Sequence, residues 1–249
     1  MKQIQYFLFK RDILNSVKNN KSLFNNENKG KTCTVCALGP SLKKVNLNRV
    51  QGDTIVVNRF YKIGASFPDF VPTYYMMIDQ DFTKPEYLKD FKDAITAYAN
   101  RGTIYILNAK LVGSPILNEI DNKQVFFISC LDGILDPKKN YSIDKSTPIF
   151  QNVAAAAIFY SILMGYGTIK LLGCDFNSFA HRTQMHCYKD ANDKRLWSLW
   201  FELFCYAFAS YDHTMISEYA KKHGISITNS SDGSLIDAYE YDIDKTLYN

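Results

Sequence analysis

Residues 34–42 read Thr34-Val35-Cys36-Ala37-Leu38-Gly39-Pro40-Ser41-Leu42. A short β-type run ends there in Gly-Pro-Ser and passes at once into residues that can begin a helix. Such a strand–turn–helix unit directs backbone N–H groups and the positive end of a helix dipole at whatever lies above the turn, and phosphate is the usual occupant. Gly39, Pro40 and Ser41 are therefore candidate phosphate-binding residues, and the unit predicts a nucleotide or nucleotide-sugar protein.

The rest of the chain alternates short apolar runs with helical patterns. Several runs are apolar throughout, as in strands that are covered on both faces. The pattern predicts a Rossmann-like, doubly wound α/β fold, with a mostly parallel sheet and helices on both faces, formed by residues 32–249 as a single domain. Strands are predicted at residues 32–38, 54–57, 74–78, 103–107, 125–128, 169–172 and 225–228, and helices at residues 154–164 and 214–222.

Two segments stand apart from this alternation. Residues 1–31 are predicted to form an N-terminal helical arm and a polar linker, with one apolar helix face composed of Tyr6, Phe7, Leu8, Ile13, Leu14 and Val17. The arm packs on the domain or on a second subunit, or it is a basic peripheral membrane anchor. Residues 196–211 are aromatic almost all round a helix that is too short to cross a bilayer, which indicates a core position, a subunit contact or a lipid-facing surface.

Composition narrows the class of protein. The chain has 249 residues, of which 47% are hydrophobic, and its formal net charge of +4 argues weakly for anionic ligands. No basic stripe or nucleic-acid module is present, which argues against nucleic acid as a partner. The six cysteines lie mostly in apolar runs, and Cys33-x-x-Cys36 lacks a second pair, so neither a metal nor a redox site is predicted. Without a signal peptide or membrane-length apolar run, the expected location is the cytoplasm, including the inner face of the membrane.

Polar residues follow four of the predicted strands, where an open α/β sheet binds its ligands. An arginine there can clamp phosphate bidentately, an amide suits a base, ribose or phosphate oxygen, and Asp175 suits a ribose or sugar hydroxyl. Asp79-x-Asp81 matches the metal-binding pair of transferases that use nucleoside diphosphate sugars. Besides the Gly39–Ser41 turn, the candidates are Asn58, Arg59, Asp79, Asp175 and Asn177.

A histidine near its ordinary pKa can accept a proton from an attacking hydroxyl. His186 is the favoured base because it is close in sequence to Asp175 and Asn177. His213, expected just before the helix at 214–222, is the alternative. His223 is expected to be structural, because a cation suits the end of a helix.

The chain resembles the bacterial sialyltransferases of glycosyltransferase family 42. The residues that carry the resemblance, which covers roughly residues 32–240, are Leu38–Leu42, Val57-Asn58-Arg59-Phe60-Tyr61 and the segment 164–176 that ends in Gly173-Cys174-Asp175-Phe176. It implies a GT-A-like variant of the fold, with the Gly-Pro-Ser-Leu turn and the Asn-x-Phe-Tyr segment binding the cytidine monophosphate (CMP) half of the donor. It also implies donor binding by Gln151 and Asn152, contact of Tyr188 with the departing phosphate, and a catalytic histidine at His186 or His213.

The predicted activity is inverting transfer of a sialic acid or a related ulosonic or nonulosonic sugar. The sugar moves from a CMP-activated donor to a hydroxyl of a glycan or glycolipid in surface polysaccharide or lipooligosaccharide synthesis, with no cofactor and no resident metal. Three alternatives remain open: a metal-dependent nucleoside-diphosphate-sugar transferase using Asp79 and Asp81, a pterin pyrophosphokinase-like enzyme, and a non-enzymatic assembly protein. A homo-oligomer and a peripheral membrane contact also remain open.

Overall fold

The computed structural model describes Arg11, Asn20 and residues 15–18, 28–64, 66–79, 82, 84, 87–119, 124–130, 133–183, 185–189 and 197–248. Its strands are β1 (Thr32–Cys36), β2 (Asp53–Val57), β3 (Tyr74–Met77), β4 (Ile104–Asn108), β5 (Val125–Ile128), β6 (Thr168–Leu172), β7 (Ser226–Asn229) and β8 (Glu240–Tyr241). From residue 28 onward its α-helices are α1 (Tyr61–Gly64), α2 (Leu88–Tyr98), α3 (Val153–Leu163) and α4 (Leu199–Lys222).

The described strands form one eight-stranded sheet in the order β5-β4-β3-β2-β1-β6-β7-β8, and every ladder in it is parallel. The central strand β1 pairs with β2 on one side and with β6 on the other, so that Val35 is opposite both Ile55 and Leu171. The predicted doubly wound α/β fold is confirmed. All seven predicted strands are present within one or two residues at each end.

Alternation of side chains along β1 divides the core into two layers. Cys33 and Val35 belong to the apolar cluster that packs under α3 and the second half of α4. Cys36 faces the other way, into a cluster with the buried face of α2. The two cysteines of the Cys-x-x-Cys pattern are thus free thiols on opposite faces of one strand.

Three elements differ from the sequence prediction. The turn at Gly39 leads into a five-residue 3-10 helix, Pro40–Lys44, rather than an α-helix. Strand β8 was not predicted, because two exposed residues give no apolar run. The segments 196–211 and 214–222 form a single helix, α4, so His213 lies inside a helix and does not precede one.

The N-terminal arm is described only in part, since most of its predicted apolar face lies outside the described residues. Val17 is fully buried and packs with Ala109 and Phe127. The Asn20 amide donates to the carbonyl oxygens of Phe127 and Ile143, at 2.7 and 3.0 Å. These contacts place that part of the arm against the β5 side of the domain. The boundary at residue 31 and the membrane-anchor interpretation stay predictions; none of the described helices is both long and apolar enough to cross a membrane.

Candidate active site

The order of the strands reverses at β1, since β2 lies on one side of it and β6 on the other. Open parallel sheets bind ligands outside the carboxyl ends of their strands at this kind of switch point. A cavity of about 250 Å³ lies there, between the segments that follow β1, β2 and β6. Predicted site residues that line it are Gly39, Pro40, Asn58, Asn152, Asp175, Asn177, His186 and His213.

The turn after β1 is held by a carboxylate from the β6 side of the switch point. Asp175 is 5% exposed and accepts hydrogen bonds from the Ser41 amide at 3.0 Å and from the Ser41 hydroxyl at 2.8 Å. The Gly39 amide donates to the Gly173 carbonyl, and the Leu42 amide donates to the Gly39 carbonyl. Three amides of the turn already have protein acceptors, and the following helix is a 3-10 helix of only five residues, so the turn does not present the free amides that the predicted phosphate cradle needs.

Burial raises the pKa of Asp175, and the hydrogen bonds from Ser41 partly offset that rise. Close approach of the two loops requires glycine at both crossing points. A Cβ atom on Gly39 would lie 1.9 Å from Asp175 Oδ2, and one on Gly173, where φ is +68°, would lie 2.5 Å from the Ala37 carbonyl oxygen. Asp175 is thus the link that joins the β1 and β6 loops beneath the cavity, rather than a free ligand for a sugar hydroxyl.

Three residues that line this cavity each carry a buried side-chain atom without a hydrogen-bond partner: Asn58 Oδ1, Asn177 Oδ1 and His213 Nε2. A buried polar atom without a partner costs free energy, roughly 1–3 kcal/mol, unless a ligand or water supplies the missing bond. Tyr98 Oη is also such an atom among the described residues, and Tyr98 does not line the cavity. The concentration of unpaired atoms at one place makes it the candidate binding site.

The backbone around Asn58 fixes the direction of its side chain. Its φ is +47°, a left-handed conformation that asparagine tolerates better than most residues. Its main-chain N–H donates to the Met76 carbonyl at 3.0 Å, and its main-chain carbonyl accepts from the hydroxyl of the fully buried Tyr75 at 2.6 Å. These two hydrogen bonds fix the main chain of Asn58, which carries the side-chain amide at the cavity lining.

His213 lies within α4 and is 1% exposed, and burial lowers its pKa to about 4, so the ring is neutral at physiological pH. Its Nδ1 is 2.9 Å from the hydroxyl of Tyr239, which is itself buried. Because a buried phenol needs an acceptor for its proton, we assign Tyr239 as the donor to Nδ1. The ring proton is then on Nε2, so this residue of the cavity lining carries a buried N–H donor that has no partner.

His186 is half-buried and also lines the cavity. Its ring stacks on that of Tyr188, with the ring centroids 4.9 Å apart and the planes at 16°. The loop is fixed to the turn after β1, because the Cys187 amide donates to the Leu38 carbonyl at 2.7 Å. Tyr188 does not itself line the cavity, and the ammonium of Lys62 lies 5.0 Å from its ring centroid. The predicted contact of Tyr188 with a departing phosphate is therefore not what this structure presents; the residue supports the His186 ring instead.

Arg59 faces away from the cavity. Its Nε and terminal nitrogen bind Asp90 Oδ2 on α2, at 2.9 and 2.8 Å, and the Tyr61 hydroxyl binds the other oxygen of that carboxylate. Burial acts to lower the pKa of Arg59, but its pairing with Asp90 and its hydrogen bond with Tyr188 raise that pKa above its ordinary value. The predicted clamping of phosphate by Arg59 is not what this structure presents, since the guanidinium is held by Asp90 and Arg59 does not line the cavity.

A second cavity of about 320 Å³ adjoins the first across Asn152 and Val153, above the carboxyl ends of β3, β4 and β5. Asp79, Lys110 and the exposed Gln151 line it. Asn152 borders both cavities, but its side chain caps α3 by accepting from the Ala155 amide at 2.7 Å. Asp81 lies outside the described residues, and those described contain no group of three or more metal-ligating side chains.

Two residues that contact the cavity lining were not predicted from the sequence, and both lie on elements whose placement depends on tertiary contacts. Asp212 is 6% exposed and accepts from the Gln151 amide at 2.8 Å, and burial raises its pKa to about 6. Tyr239 controls the His213 tautomer from the segment before β8. One usable signal existed: Asp212-His213 interrupts an otherwise aromatic helix with two adjacent titratable residues. Of the other histidines, His181 is exposed, and His223 Nδ1 is 2.8 Å from the Tyr219 carbonyl at the end of α4, where a structural role was expected.

Comparisons with solved structures show similarity of fold to bacterial transferases. The chain matches the sialyltransferase CstII from Campylobacter jejuni in complex with the substrate analogue cytidine-5'-monophosphate, with 13% identity over 89% of this chain and 88% of that chain and a TM-score of 0.53. The same enzyme with CMP-3FNeuAc matches with 13% identity, 88% coverage of each chain and a TM-score of 0.53. Its complex with a trisaccharide acceptor and CMP matches with 14% identity, 88% coverage of each chain and a TM-score of 0.50.

No family model matches the chain, and no curated protein does. The structural likeness therefore establishes the fold alone. It is the fold that the resemblance of the Gly39, Asn58 and Asp175 segments implied.

Proposed function

We propose that this protein is an inverting glycosyltransferase that moves a sialic acid or a related ulosonic or nonulosonic sugar from a CMP-activated donor to a hydroxyl of a glycan or glycolipid. One observation carries the proposal: Asn58 Oδ1, Asn177 Oδ1 and His213 Nε2 are unpaired in one cavity at the switch point of the sheet. The fold around that cavity is shared with a sialyltransferase whose structures contain CMP.

The chemistry of the unpaired atoms suits this nucleotide. The two amide oxygens are acceptors, and the exocyclic amine of cytosine and the ribose hydroxyls are donors. The Nε2–H of His213 is a donor, and the phosphate of CMP is an acceptor. A bound CMP would thus supply partners of the correct polarity to all three atoms, which converts an energetic cost of the free protein into binding free energy.

His213 takes over the role that the sequence had suggested for Arg59 or Tyr188. Because burial holds the ring neutral, Nε2–H is a fixed hydrogen-bond donor rather than a cation. A donor that is already oriented in a site with little water stabilises negative charge as it develops on the leaving phosphate. Tyr239 contributes indirectly, by keeping the proton on the nitrogen that faces the cavity.

His186 is the proposed general base. It shares the cavity with His213, and Tyr188 and the Cys187–Leu38 hydrogen bond hold its loop in place. The acceptor hydroxyl attacks the anomeric carbon and transfers its proton to the His186 ring. The bond between the anomeric carbon and the phosphate oxygen breaks, and its electron pair leaves with CMP. Attack opposite the leaving group inverts the anomeric centre.

The adjoining cavity is the proposed entrance for the acceptor. Together the two cavities reach the size usual for small-molecule sites, about 300–1,000 Å³. Asp79, Lys110 and Gln151 offer charged and amide groups that pair with sugar hydroxyls. We assign the acceptor to surface polysaccharide or lipooligosaccharide. No metal is required, because CMP departs as a monophosphate; the metal-dependent alternative would use Asp79 and Asp81.

The test is release of CMP from CMP-sialic acid, measured with and without a panel of oligosaccharide acceptors and in the presence of EDTA. We expect EDTA-insensitive release that an acceptor accelerates. His186→Gln should lower kcat by about 10²–10⁴-fold while leaving CMP binding intact. His181→Gln, at an exposed position of the same loop, is the matched control and should keep full activity. Turnover restricted to a UDP-sugar with manganese, ATP consumption with a pterin, or no nucleotide binding would each overturn the proposal.

A further inference from the structure

The first half of α4 exposes an apolar seam of Trp200, Phe204, Ala207 and Tyr211. These residues are spaced four, three and four apart, which is the a/d spacing of helices that pack along one another. Their large side chains are 70%, 54% and 45% exposed at Trp200, Phe204 and Tyr211 respectively. A core position was one of the predictions for this segment, and the exposure of this face excludes it there.

The seam and the apolar residues beside it have the area of a subunit interface. An aromatic side chain covers about 150–250 Å², so the exposed fractions correspond to roughly 600–700 Å². The largest apolar patch on a typical monomer is about 300–600 Å², whereas a stable complex buries about 800 Å² on each partner. The contributing residues beyond the seam, exposed by 42–55%, are Trp197, Leu199, Leu203 and Phe208.

The charge of the segment distinguishes a protein partner from a lipid surface. Residues 197–220 contain neither lysine nor arginine. Helices that lie on membranes generally carry basic residues on their polar side, which anionic lipids attract. Depletion of charge together with enrichment in Trp, Tyr and Phe is instead the composition of a protein–protein interface core.

We propose that α4 joins two copies of this chain, seam against seam and antiparallel, about a two-fold axis near Ala207. A surface that pairs with itself must be self-complementary. An antiparallel pairing about an axis near Ala207 meets this requirement, because it places one copy of the seam against the other. The small Ala207 side chain lets the helix axes approach closely, while Phe204 packs against Tyr211 of the partner subunit. Dimer formation would require no rearrangement of main-chain hydrogen bonds, because α4 is already a regular α-helix.

The contact would also bear on the cavity. Tyr206 and His213, on the other side of the same helix, line it. Pairing of two α4 helices would hold this wall in place without adding a residue to the site.

Sedimentation velocity of the full chain over a range of concentrations tests the proposal, since the monomer mass is 28.6 kDa. We expect a dimer. Phe204→Glu buries an unpaired carboxylate in the seam and should raise the dimer dissociation constant at least about 30-fold. Trp200→Glu, at the most exposed position, is a second variant. Ile134→Glu, which makes the same change at a 60% exposed position elsewhere, is the control and should leave the dimer intact.

Circular dichroism of each variant separates loss of the dimer from loss of the fold. Flotation with phosphatidylcholine vesicles, with and without phosphatidylglycerol, measures the lipid alternative. A wild-type monomer at all concentrations would overturn the proposal, as would a dimer that both seam variants preserve. Vesicle binding that Phe204→Glu abolishes, in a protein that does not dimerise, would assign the seam to lipid and also overturn it.

Discussion

Removal of the Asp175 carboxylate should destabilise the domain at the point where the sheet changes direction. Asp175 receives two hydrogen bonds from Ser41, at 3.0 and 2.8 Å, and its side chain is almost entirely buried. Asp175→Ala deletes both and leaves the Ser41 amide and hydroxyl without their acceptor. Asp175→Asn keeps the shape and can keep both hydrogen bonds, since the Ser41 hydroxyl can accept from the new amide.

The size of the effect follows from these two bonds. A hydrogen bond to a charged group contributes about 1.5–3 kcal/mol, which gives an upper range of about 3–6 kcal/mol. Burial raises the pKa of Asp175, so deletion also relieves part of a desolvation penalty. We therefore expect the low end, a loss of about 3 kcal/mol for Asp175→Ala. In a chain of 249 residues this corresponds to a fall in Tm of about 6–12 °C.

Differential scanning calorimetry and urea unfolding at pH 7 measure this loss. Asp175→Asn should stay within about 1 kcal/mol of the wild type. Asp232→Ala is the matched control, because that carboxylate binds Lys44 at a solvent-exposed position and such pairs contribute little. If Asp175→Ala were no more destabilising than Asp232→Ala, the loop-to-loop link assigned to Asp175 would be refuted.

Two further predictions concern buried groups at and away from the cavity. Burial raises the pKa of Asp212 to about 6. The protonated carboxyl therefore stabilises the fold below about pH 4, and that contribution is lost as the pH rises through 6. Asp212→Asn should raise the free energy of unfolding at pH 7 by about 1–2 kcal/mol, a value reduced for solvent screening, and should give no gain at pH 4. A gain that does not vary with pH in urea titrations would contradict this. Tyr239→Phe leaves His213 Nδ1 without its partner and should cost about 1–2 kcal/mol and weaken CMP binding, whereas Tyr98→Phe, which removes a buried hydroxyl that has no partner, should be neutral or stabilising. Equal effects of the two substitutions on the free energy of unfolding would show that the Tyr239–His213 hydrogen bond does not stabilise the fold and would contradict the prediction.

The strands were predictable because local sequence determines them. Strands buried on both faces read as apolar runs, so residues 32–38 and 169–172 located β1 and β6 to within two residues. The two-residue strand β8 has no such run and owes its position to pairing with β7. Local pattern thus sufficed for the strands with a buried core face and failed for the exposed edge.

The division of α4 into two segments had a different cause. The apolar pattern stops at Asp212 and His213, which reads locally as the end of a helix. In the structure both residues are buried inside a continuous helix, and His213 faces the cavity. The interruption reflects the requirements of the site rather than a break in the backbone.

Positions of the site residues were predictable, but their partners were not. Sequence placed Gly39, Asn58 and Asp175 at strand ends that meet, and the three line one cavity. The Ser41 amide in the turn is bound by Asp175, which lies 134 positions away in the sequence. The orientation of Arg59 is set by Asp90 on α2. Pairings of this kind arise from tertiary structure and leave no local signal.

Calorimetric titration of CMP into the free protein tests the central claim most directly, because it asks whether the unpaired atoms of the switch-point cavity form a nucleotide site. The wild type should bind CMP and bind UMP more weakly, since uracil lacks the exocyclic amine. Asn58→Gly keeps the positive φ and removes the amide, so it should weaken CMP binding about threefold to tenfold. Asn100→Gly makes the same change at a φ of 60° outside the cavity and should not affect binding. Absence of CMP binding, or equal affinity of the wild type and Asn58→Gly, would contradict the account.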